Sequence, residues 1–281
     1  MPVKKGCKEA TTVKRLWGLL AAVLLLAAGC AGKAAGKTQL VIFAAASLQE
    51  TLTEIGEQYA ADRGNVELVF NFDSSGTLKT QIQAGADCDL FLSAGQRQMD
   101  QLDASAGPEG NPEGLDLLLP DTRVNLLENQ VVLAVPAENP AGIGSFADLC
   151  RALEAGTVLL ALGNSDVPVG QYSQRILSYY SLDEAALAAS GCVTYGSNAK
   201  EVATQVSEAV VNCGILYATD ARSAGLAVVD TATVEMCGQV VYPAAVLTAG
   251  KNQGGARDFL AYLRTPAAAE VFKGAGFTPL A

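Results

Sequence analysis

Four short segments share a pattern that suits the binding of a small anion. In each, apolar or loop residues lead into small or hydroxyl residues just before a predicted helix: AAASL (44–48), DSSGT (73–77), VPVG (167–170) and SNAKEV (197–202). The first N–H groups of a helix have no partner within the helix and carry partial positive charge, so they attract anions. Small residues let a ligand approach the backbone closely. The recurrence of this pattern predicts an anion site built from several helix starts.

Each segment taken alone also has a purely structural explanation. Ser47 and Glu50 match a capping box, in which the two side chains satisfy the first N–H groups of a helix. Ser74, Ser75 and Gly76 are equally typical of an ordinary loop before a helix. The functional interpretation therefore depends on the repetition of the pattern and not on any single segment.

The composition excludes several classes of function. The 281 residues include no histidine, which removes Ser-His-Asp catalysis, Cys-His catalysis and every histidine-containing metal site. Ser197 and Lys200 match the S-x-x-K motif of serine acyl-enzymes, but the companion S-D-N and K-T-G motifs are absent, so such an enzyme is a remote alternative. The formal net charge of −10 argues against a nucleic-acid partner. Lys79 and Lys200 are expected to be solvated, with steering of an anion as the alternative.

The first thirty residues have the form of a lipoprotein signal. Basic residues precede an apolar run at 16–28, which is too short for a permanent membrane helix. The run ends in LAAGC (26–30), which resembles the lipobox of bacterial lipoproteins, whose cysteine receives a diacylglycerol. We therefore predict a signal peptide at 1–29, lipidation of Cys30 and a tether at 30–37, with an ordinary signal peptide as the alternative. This predicts an extracytoplasmic protein anchored to the cell membrane.

The cysteines in the body of the chain do not form a recognisable pattern. Their number is odd and no two have C-x-x-C spacing, so neither a metal site nor a redox motif is indicated. We interpret them as small apolar core residues. One or two disulfides are the alternative in a secreted protein, but the sequence cannot supply the pairing. They are Cys88, Cys150, Cys192, Cys213 and Cys237.

Patterns of strands and helices alternate from residue 40 onward. This alternation predicts an α/β fold with parallel sheets covered on both faces. The predicted strands are 40–44, 66–71, 90–93, 131–135, 157–161, 214–217 and 242–248, and the predicted helices are 48–62, 78–84, 171–180, 200–210, 257–264 and 267–273.

Residues 38–281 resemble the molybdate-binding periplasmic proteins of ABC importers. The segments that carry the resemblance are FAAASL (43–48), SSGTLKTQIQAGADCDLFLSA (74–94), VPVGQY (167–172), GILYATDA (214–221) and YPAAVL (242–247). The resemblance implies a class II periplasmic binding protein, in which two α/β lobes with parallel-rich sheets are joined by two hinge crossings. It places 38–129 and 219–281 in the first lobe and 130–218 in the second, with strands 131–135 and 242–248 on the hinge side.

The resemblance also names the residues that would hold the anion between the lobes. It implies hydroxyl and backbone donors at Ser47 and Ser75 of the first lobe. From the second lobe it implies backbone N–H donors at Val169 and Val202 and the phenol of Tyr217. Neutral donors suffice for a tetrahedral dianion when helix termini supply the field. The stretch between Val202 and Tyr217 is about three residues shorter than usual in the family, which leaves the register of the preceding helix open.

The function implied is capture of molybdate, and of tungstate, followed by delivery to an ABC permease with a cytosolic ATPase. Molybdenum would be held only as the oxyanion, and neither a catalytic residue nor a cofactor is expected. We also expect a monomer. Binding of another tetrahedral oxyanion, such as sulfate or phosphate, is the alternative, because the sequence does not report the size of the pocket. A ferric site is disfavoured, since the Tyr179–Tyr180 pair is predicted to pack in the middle of a helix.

Overall fold

The computed structural model describes residues 1–2 and 37–280. Cys30, most of the predicted signal peptide and the predicted tether up to residue 36 lie outside the described residues. Residues from Thr38 onward form one compact unit. Within the part of the chain that is described, no helix is both long and apolar enough to cross a membrane.

The described residues form eleven strands. They are β1 (Thr38–Ala45), β2 (Val66–Asp73), β3 (Leu90–Leu92), β4 (Val124–Asn129), β5 (Val131–Val135), β6 (Leu160–Gly163), β7 (Val193–Gly196), β8 (Cys213–Tyr217), β9 (Ala227–Thr231), β10 (Val240–Val246) and β11 (Thr278–Pro279).

Twelve α-helices connect these strands within the same residues. They are α1 (Gln49–Arg63), α2 (Ser75–Gln83), α3 (Gln96–Asp100), α4 (Gly107–Gly110), α5 (Phe146–Glu154), α6 (Pro168–Tyr179), α7 (Glu184–Ala189), α8 (Ala199–Ser207), α9 (Ala218–Ser223), α10 (Val234–Cys237), α11 (Gln253–Tyr262) and α12 (Pro266–Ala275). Short 3-10 turns at Ala46–Leu48 and Ala104–Ala106 precede α1 and α4.

The strands form two separate sheets, one in each lobe. The first has the order β11-β4-β10-β3-β1-β2, and the second has the order β7-β6-β8-β5-β9. Strand β1 runs parallel to β2 and β3, and β6 runs parallel to β7 and β8. The strands beside the crossings, β4, β5, β9 and β10, all pair antiparallel. The sheets are therefore mixed, where the sequence predicted parallel-rich ones, because the strand by which the chain leaves a lobe and the strand by which it enters that lobe run in opposite directions side by side.

The chain passes between the lobes twice. The first crossing is the single residue Gln130, which separates β4 from β5, and the second lies between the end of β9 and the start of β10. The predicted hinge-side strands at 131–135 and 242–248 follow these crossings directly. The predicted lobe boundary after residue 218 is wrong, because β9 pairs with β5 in the second sheet. The second lobe therefore extends through Thr231.

The core lies between each sheet and its helices. Leu52, Ile55 and Tyr59 of α1 are buried against the first sheet, and their spacing of three and four residues puts them on one helical face. The ring of Tyr59 meets the ring of Phe259 of α11 edge-on, with centroids 4.9 Å apart. This packing fixes the start of α1 at the carboxyl end of β1.

The five cysteines of the body are free thiols, and four of them are buried. Burial raises the pKa of the Cys88 and Cys213 thiols to about 12, which keeps both thiols protonated. The structure agrees with the interpretation of these cysteines as core residues.

Candidate functional site

A small cavity of about 10 Å³, room for roughly one water molecule, lies where the two lobes meet. It is lined by residues that follow the carboxyl ends of strands in both sheets, which is where α/β folds bind ligands. This space is far below the roughly 300 Å³ of pockets for drug-sized organic molecules, so only a small ligand, around which the lobes adjust, could be held there. From the first lobe the lining residues are Ala45, Ala46, Ser47, Asp73, Ser74, Ser75 and Ala94, and from the second they are Val167, Pro168, Ala199 and Tyr217.

The lining is almost entirely neutral. It contains hydroxyl groups and small apolar residues, and no lysine or arginine is among the described residues that form it. Asp73 is the one ionisable carboxyl group, and its Oδ1 accepts the N–H of Ser74 at 2.6 Å. An anion in this cavity would therefore be held by hydroxyl and N–H dipoles, as the four sequence segments predict.

Ser47 lies in the 3-10 turn before α1 and is 5% exposed. Its hydroxyl shares a hydrogen bond of 3.0 Å with the hydroxyl of Tyr242. Helix α1 begins at Gln49 without a side-chain cap, and Glu50 is bonded to Lys200 instead. The predicted capping box of Ser47 and Glu50 is therefore wrong, because the 3-10 turn places Ser47 ahead of the helix start.

At the second strand-to-helix junction, after β2, two adjacent serines make different hydrogen bonds. Ser74 caps α2, since its Oγ accepts the N–H of Thr77 at 3.1 Å. Ser75 is fully buried, and its Oγ accepts the N–H of Ala94 at 2.9 Å, which ties the loop after β3 to the start of α2. The proton of the Ser75 hydroxyl remains available for donation, because the bond to Ala94 uses an oxygen lone pair.

The third junction forms the start of α6. Val167 is the N-cap residue and Pro168 occupies the first turn, where its missing N–H costs nothing. Both residues line the cavity, whereas the predicted donor Val169 is fully buried and is not part of the lining. The N–H of Val169 lies in the first turn of α6, so its role as a donor stays a prediction.

The structure contradicts Val202 as a backbone donor. Helix α8 begins at Ala199, and Asn198 caps it by accepting the N–H of Glu201 at 3.0 Å. The N–H of Val202 is bonded to the carbonyl oxygen of Asn198 at 3.3 Å, inside the helix. Ala199 lines the cavity instead. Ala199 lies three residues before Val202. This difference matches the roughly three residues by which the stretch between Val202 and Tyr217 is shorter than usual in the family.

Tyr217 ends β8 and reaches across the cleft. Its hydroxyl donates to the carbonyl oxygen of Ala94 in the first lobe at 3.2 Å. Burial raises the pKa of Tyr217 well above its usual range, and the neighbouring Tyr242 adds to this effect. The phenol therefore stays protonated and can donate a hydrogen bond.

A buried polar network behind the cavity was missed by the sequence analysis. Tyr242 accepts a hydrogen bond of 3.2 Å from the side-chain amide of Asn129, which also donates to Thr219 at 2.9 Å. The side-chain oxygen of Asn129 accepts the N–H of Gln130 at the first crossing. The only sequence signal was polar residues within otherwise apolar strands. The network connects Ser47 to the hinge.

The pair suggested for a serine acyl-enzyme is not assembled. The hydroxyl of Ser197 donates to Glu201 at 2.6 Å, whereas the Lys200 ammonium group contacts Glu50. A general base must be within hydrogen-bond reach of its nucleophile, and Lys200 is committed elsewhere. Among the described residues no cluster of Cys, Asp and Glu side chains could hold a metal ion.

Two lobes, two crossings and a cavity between facing strand ends define a periplasmic-type binding protein of class II. Residues 40–278 match the family model described as bacterial extracellular solute-binding protein. The chain belongs to this family, whose members act outside the cytoplasm.

Named relatives cover nearly the whole chain. The putative ABC transporter substrate-binding lipoprotein YvgL of Bacillus subtilis is 31% identical over 90% of this chain and 94% of its own length. The molybdate-binding protein ModA of Escherichia coli is 34% identical over 94% of this chain and 98% of its own. A solved substrate-binding domain of a putative molybdenum ABC transporter from Clostridium difficile is 30% identical, with a TM-score of 0.62, and covers 86% of this chain and 99% of its own.

Proposed function

We propose that this protein captures molybdate, and also tungstate, outside the cytoplasm and delivers the oxyanion to an ABC permease driven by a cytosolic ATPase. The observation that carries the proposal is the small cavity between the lobes, which is lined by hydroxyl groups and helix starts, with no lysine or arginine among the described residues that line it. The ModA relatives support molybdate as the ligand, because they share about a third of their residues with this chain.

The proposed ligand-binding groups come from both lobes. Ser47 and Ser75 contribute hydroxyl groups from the first lobe, and Tyr217 contributes its phenol from the second. The backbone N–H groups of Val169 and Ala199 complete the set, with Ala199 replacing Val202, the donor that the resemblance implied. All five groups are neutral donors, and hydrogen bonds from fixed donors to a charged ligand are roughly twice as strong as neutral ones.

In this proposal the protein performs no covalent chemistry. Molybdate is cargo and not a cofactor, and the protein acts as a monomer that presents its ligand to the permease. The solute-binding family supports this assignment.

Phosphate is the second candidate, because of one feature of the lining. Asp73 contributes a carboxylate to the cavity. A carboxylate can accept the proton of a hydrogen phosphate ion, which gives phosphate a hydrogen bond that sulfate and molybdate, unprotonated at neutral pH, do not offer. Asp73 accepts the N–H of Ser74 through Oδ1, so its Oδ2 can accept the proton of a hydrogen phosphate ion.

Calorimetric titration of residues 31–281 tests these assignments. We expect molybdate and tungstate to bind more tightly than sulfate or phosphate. Tighter binding of sulfate or phosphate than of molybdate would refute the proposed ligand and leave the solute-binding fold intact.

We further propose that Cys30 carries a lipid anchor. The LAAGC sequence supports this, as does the lipoprotein name of the YvgL relative. In a bacterial host, the Cys30→Ser variant should be released from membranes or remain unprocessed, as judged by fractionation and mass spectrometry. A variant that stays on the membrane at the normal mature mass would contradict lipidation.

A further inference from the structure

Lys200 forms an ionic contact between the two lobes. It lies in the first turn of α8, in the second lobe, and its Nζ is 2.6 Å from Oε1 and 2.5 Å from Oε2 of Glu50. Glu50 belongs to the first turn of α1, in the first lobe. The contact therefore exists only when the start of α1 and the start of α8 are brought together.

A second carboxylate holds Lys200 from its own lobe. Oδ1 of Asp220, in α9, lies 3.7 Å from the same Nζ. Asp220 is 1% exposed, and neither of its oxygens accepts a hydrogen bond from the described residues. A buried carboxylate without such partners is costly unless a charge compensates it, and Lys200 is the nearby cation. Asp220 therefore restrains the lysine at the position from which it reaches Glu50.

These three residues lie beside the anion cavity and do not line it. Glu50 and Lys200 line a neighbouring pocket that also includes Ser47 and Thr219. Ser47 is the one residue that borders both spaces. An effect of Lys200 on binding would therefore pass through closure of the lobes and not through contact with the ligand.

We propose that Glu50, Lys200 and Asp220 form an interlobe latch that stabilises the closed state around the bound oxyanion and slows its release. The inference rests on the proposed function, in that a ligand must be held between the lobes. A ligand that binds the closed state is retained in proportion to the closed population. The latch increases the population of the closed state, while the hydrogen-bond donors of the cavity recognise the anion.

The size of the effect follows from the exposure of the pair. The side chain of Glu50 is 60% exposed and that of Lys200 is 26% exposed, so solvent screens their attraction. Pairs of this kind contribute modestly, and we expect removal of either charge to weaken ligand binding about two- to five-fold. The change should appear in the dissociation rate more than in the association rate.

A double-mutant cycle tests the latch. The variants are Lys200→Met, Glu50→Gln and their combination, and the measurement is the dissociation constant for whichever of molybdate, tungstate, sulfate and phosphate the wild-type protein binds most tightly. We expect each single variant to weaken binding two- to five-fold and the combination to weaken it no further, because either change breaks the same contact. If sulfate or phosphate proves the tightest ligand, the proposed ligand fails but the cycle is still measured.

Lys251→Met is the matched control. Lys251 pairs with Asp87 within the first lobe, at an exposed site, so its loss removes one positive charge without affecting the cleft. We expect this variant to bind like the wild type. Glu50→Gln serves if Lys200→Met fails to fold, because it leaves the contact of Lys200 with Asp220 in place.

Two outcomes would overturn the latch. In the first, the Lys200→Met and Glu50→Gln variants bind the anion as tightly as the Lys251→Met control. In the second, Lys200→Met weakens binding by the same factor with and without Glu50, which would show that the lysine acts on the anion directly through its charge.

Discussion

At the scale of single residues, each proposed side-chain donor already has a partner within the protein. Ser47 is bonded to Tyr242, Ser75 accepts from Ala94, and Tyr217 donates to the carbonyl of Ala94. These bonds hold the hydroxyl groups beside the cavity. Ser75 keeps its proton for a ligand, whereas Tyr217 must release its bond to Ala94 before it can donate to one. They also mean that a variant at one of these positions changes the protein as well as the binding site. Ser75→Ala, for example, would remove the bond that positions Ala94.

Tyr217→Phe is the cleanest test of a side-chain donor. The ring remains packed, with its centroid 5.6 Å from that of Tyr242, and only the hydroxyl is lost. A hydrogen bond to a charged group is worth about 1.5–3 kcal/mol, so molybdate affinity should fall roughly ten- to a hundred-fold. Calorimetry measures the affinity, and thermal unfolding checks that the fold is retained.

Tyr172→Phe is the control for that variant. The Tyr172 ring lies 6.4 Å from the ring of Tyr217, but its hydroxyl donates to the carbonyl of Gln239 and does not line the cavity. We expect its affinity for molybdate to match that of the wild type. Equal affinities of Tyr217→Phe and Tyr172→Phe would remove Tyr217 from the site.

Asp220 makes folding stability depend on pH. Burial raises the pKa of this carboxyl to about 7, with Lys200 opposing the rise and Glu50 adding to it, against about 3.9 in an unfolded chain. The folded state binds the proton more tightly, so this stabilisation is complete below pH about 4 and is lost as the pH rises through about 7. Between those limits we expect a loss on the order of a few kcal/mol.

Urea unfolding of wild type and Asp220→Asn at pH 5 and pH 8 measures this contribution. The amide cannot ionise, so the variant should lose less stability than the wild type between the two pH values. Parallel losses in the two proteins would show that Asp220 does not titrate in this range.

At the scale of elements, the site depends on where each helix begins. Helix α8 begins at Ala199, whose N–H is therefore one of the unpaired donors of the first turn, whereas the N–H of Val202 is used within the helix. The position at which the helix begins thus decides which backbone N–H, that of Ala199 or that of Val202, can donate a hydrogen bond to an anion.

Ala199→Pro tests the start of α8. Proline is tolerated at the first position of a helix and removes one N–H group, and Asn198 before it already has the extended backbone that precedes proline, with φ −155° and ψ 172°. We expect molybdate binding to weaken about ten-fold or more by calorimetry, with the helical circular dichroism unchanged.

Glu184→Pro places the same substitution at the start of α7, which is also preceded by an extended residue and lies away from the cavity. It should leave molybdate affinity unchanged. If Ala199→Pro folds and binds molybdate as tightly as this control, the amide of Ala199 is not a donor.

The sequence was sufficient to predict the elements whose pattern is strong. The bounds of β5, Val131–Val135, were predicted correctly from the continuous apolar run VVLAV, because a strand that is buried on both faces is apolar at every position. Strand β9 was missed, since it is a short edge strand that is only partly buried. The 3-10 turn at Ser47 was also missed, because a serine followed three residues later by a glutamate fits a capping box equally well. Whether such a segment becomes an edge strand or a 3-10 turn depends on contacts with residues far away in the sequence. A local sequence pattern carries no information about those contacts.

At the scale of the whole molecule, the proposed donors are divided between two lobes that two crossings join. With this division neither lobe alone could satisfy every oxygen of a bound anion, so we expect the ligand to bind the closed arrangement better than an open one. The first crossing is a single residue, Gln130, whose N–H is held by Asn129. Because the same asparagine contacts Tyr242, the hinge and the cavity belong to one hydrogen-bonded network.

Solution scattering measures the closure directly. The wild-type protein should have a smaller radius of gyration with molybdate than without it, because hinge closure brings the lobes together. Calorimetry on the same sample establishes that ligand is bound. An unchanged radius at saturation would mean that the protein does not act as a clamp.

The burial of the donors has a consequence for how cargo leaves. Ser75 and Tyr217 are 0% and 1% exposed, so in the closed shape an anion held by them would be shielded from solvent by the protein. Exchange with the surroundings then requires the lobes to separate, and dilution alone cannot empty the protein faster than it opens. Unloading then depends on how often the lobes open, so a recipient that stabilises the open shape would speed the release of the cargo.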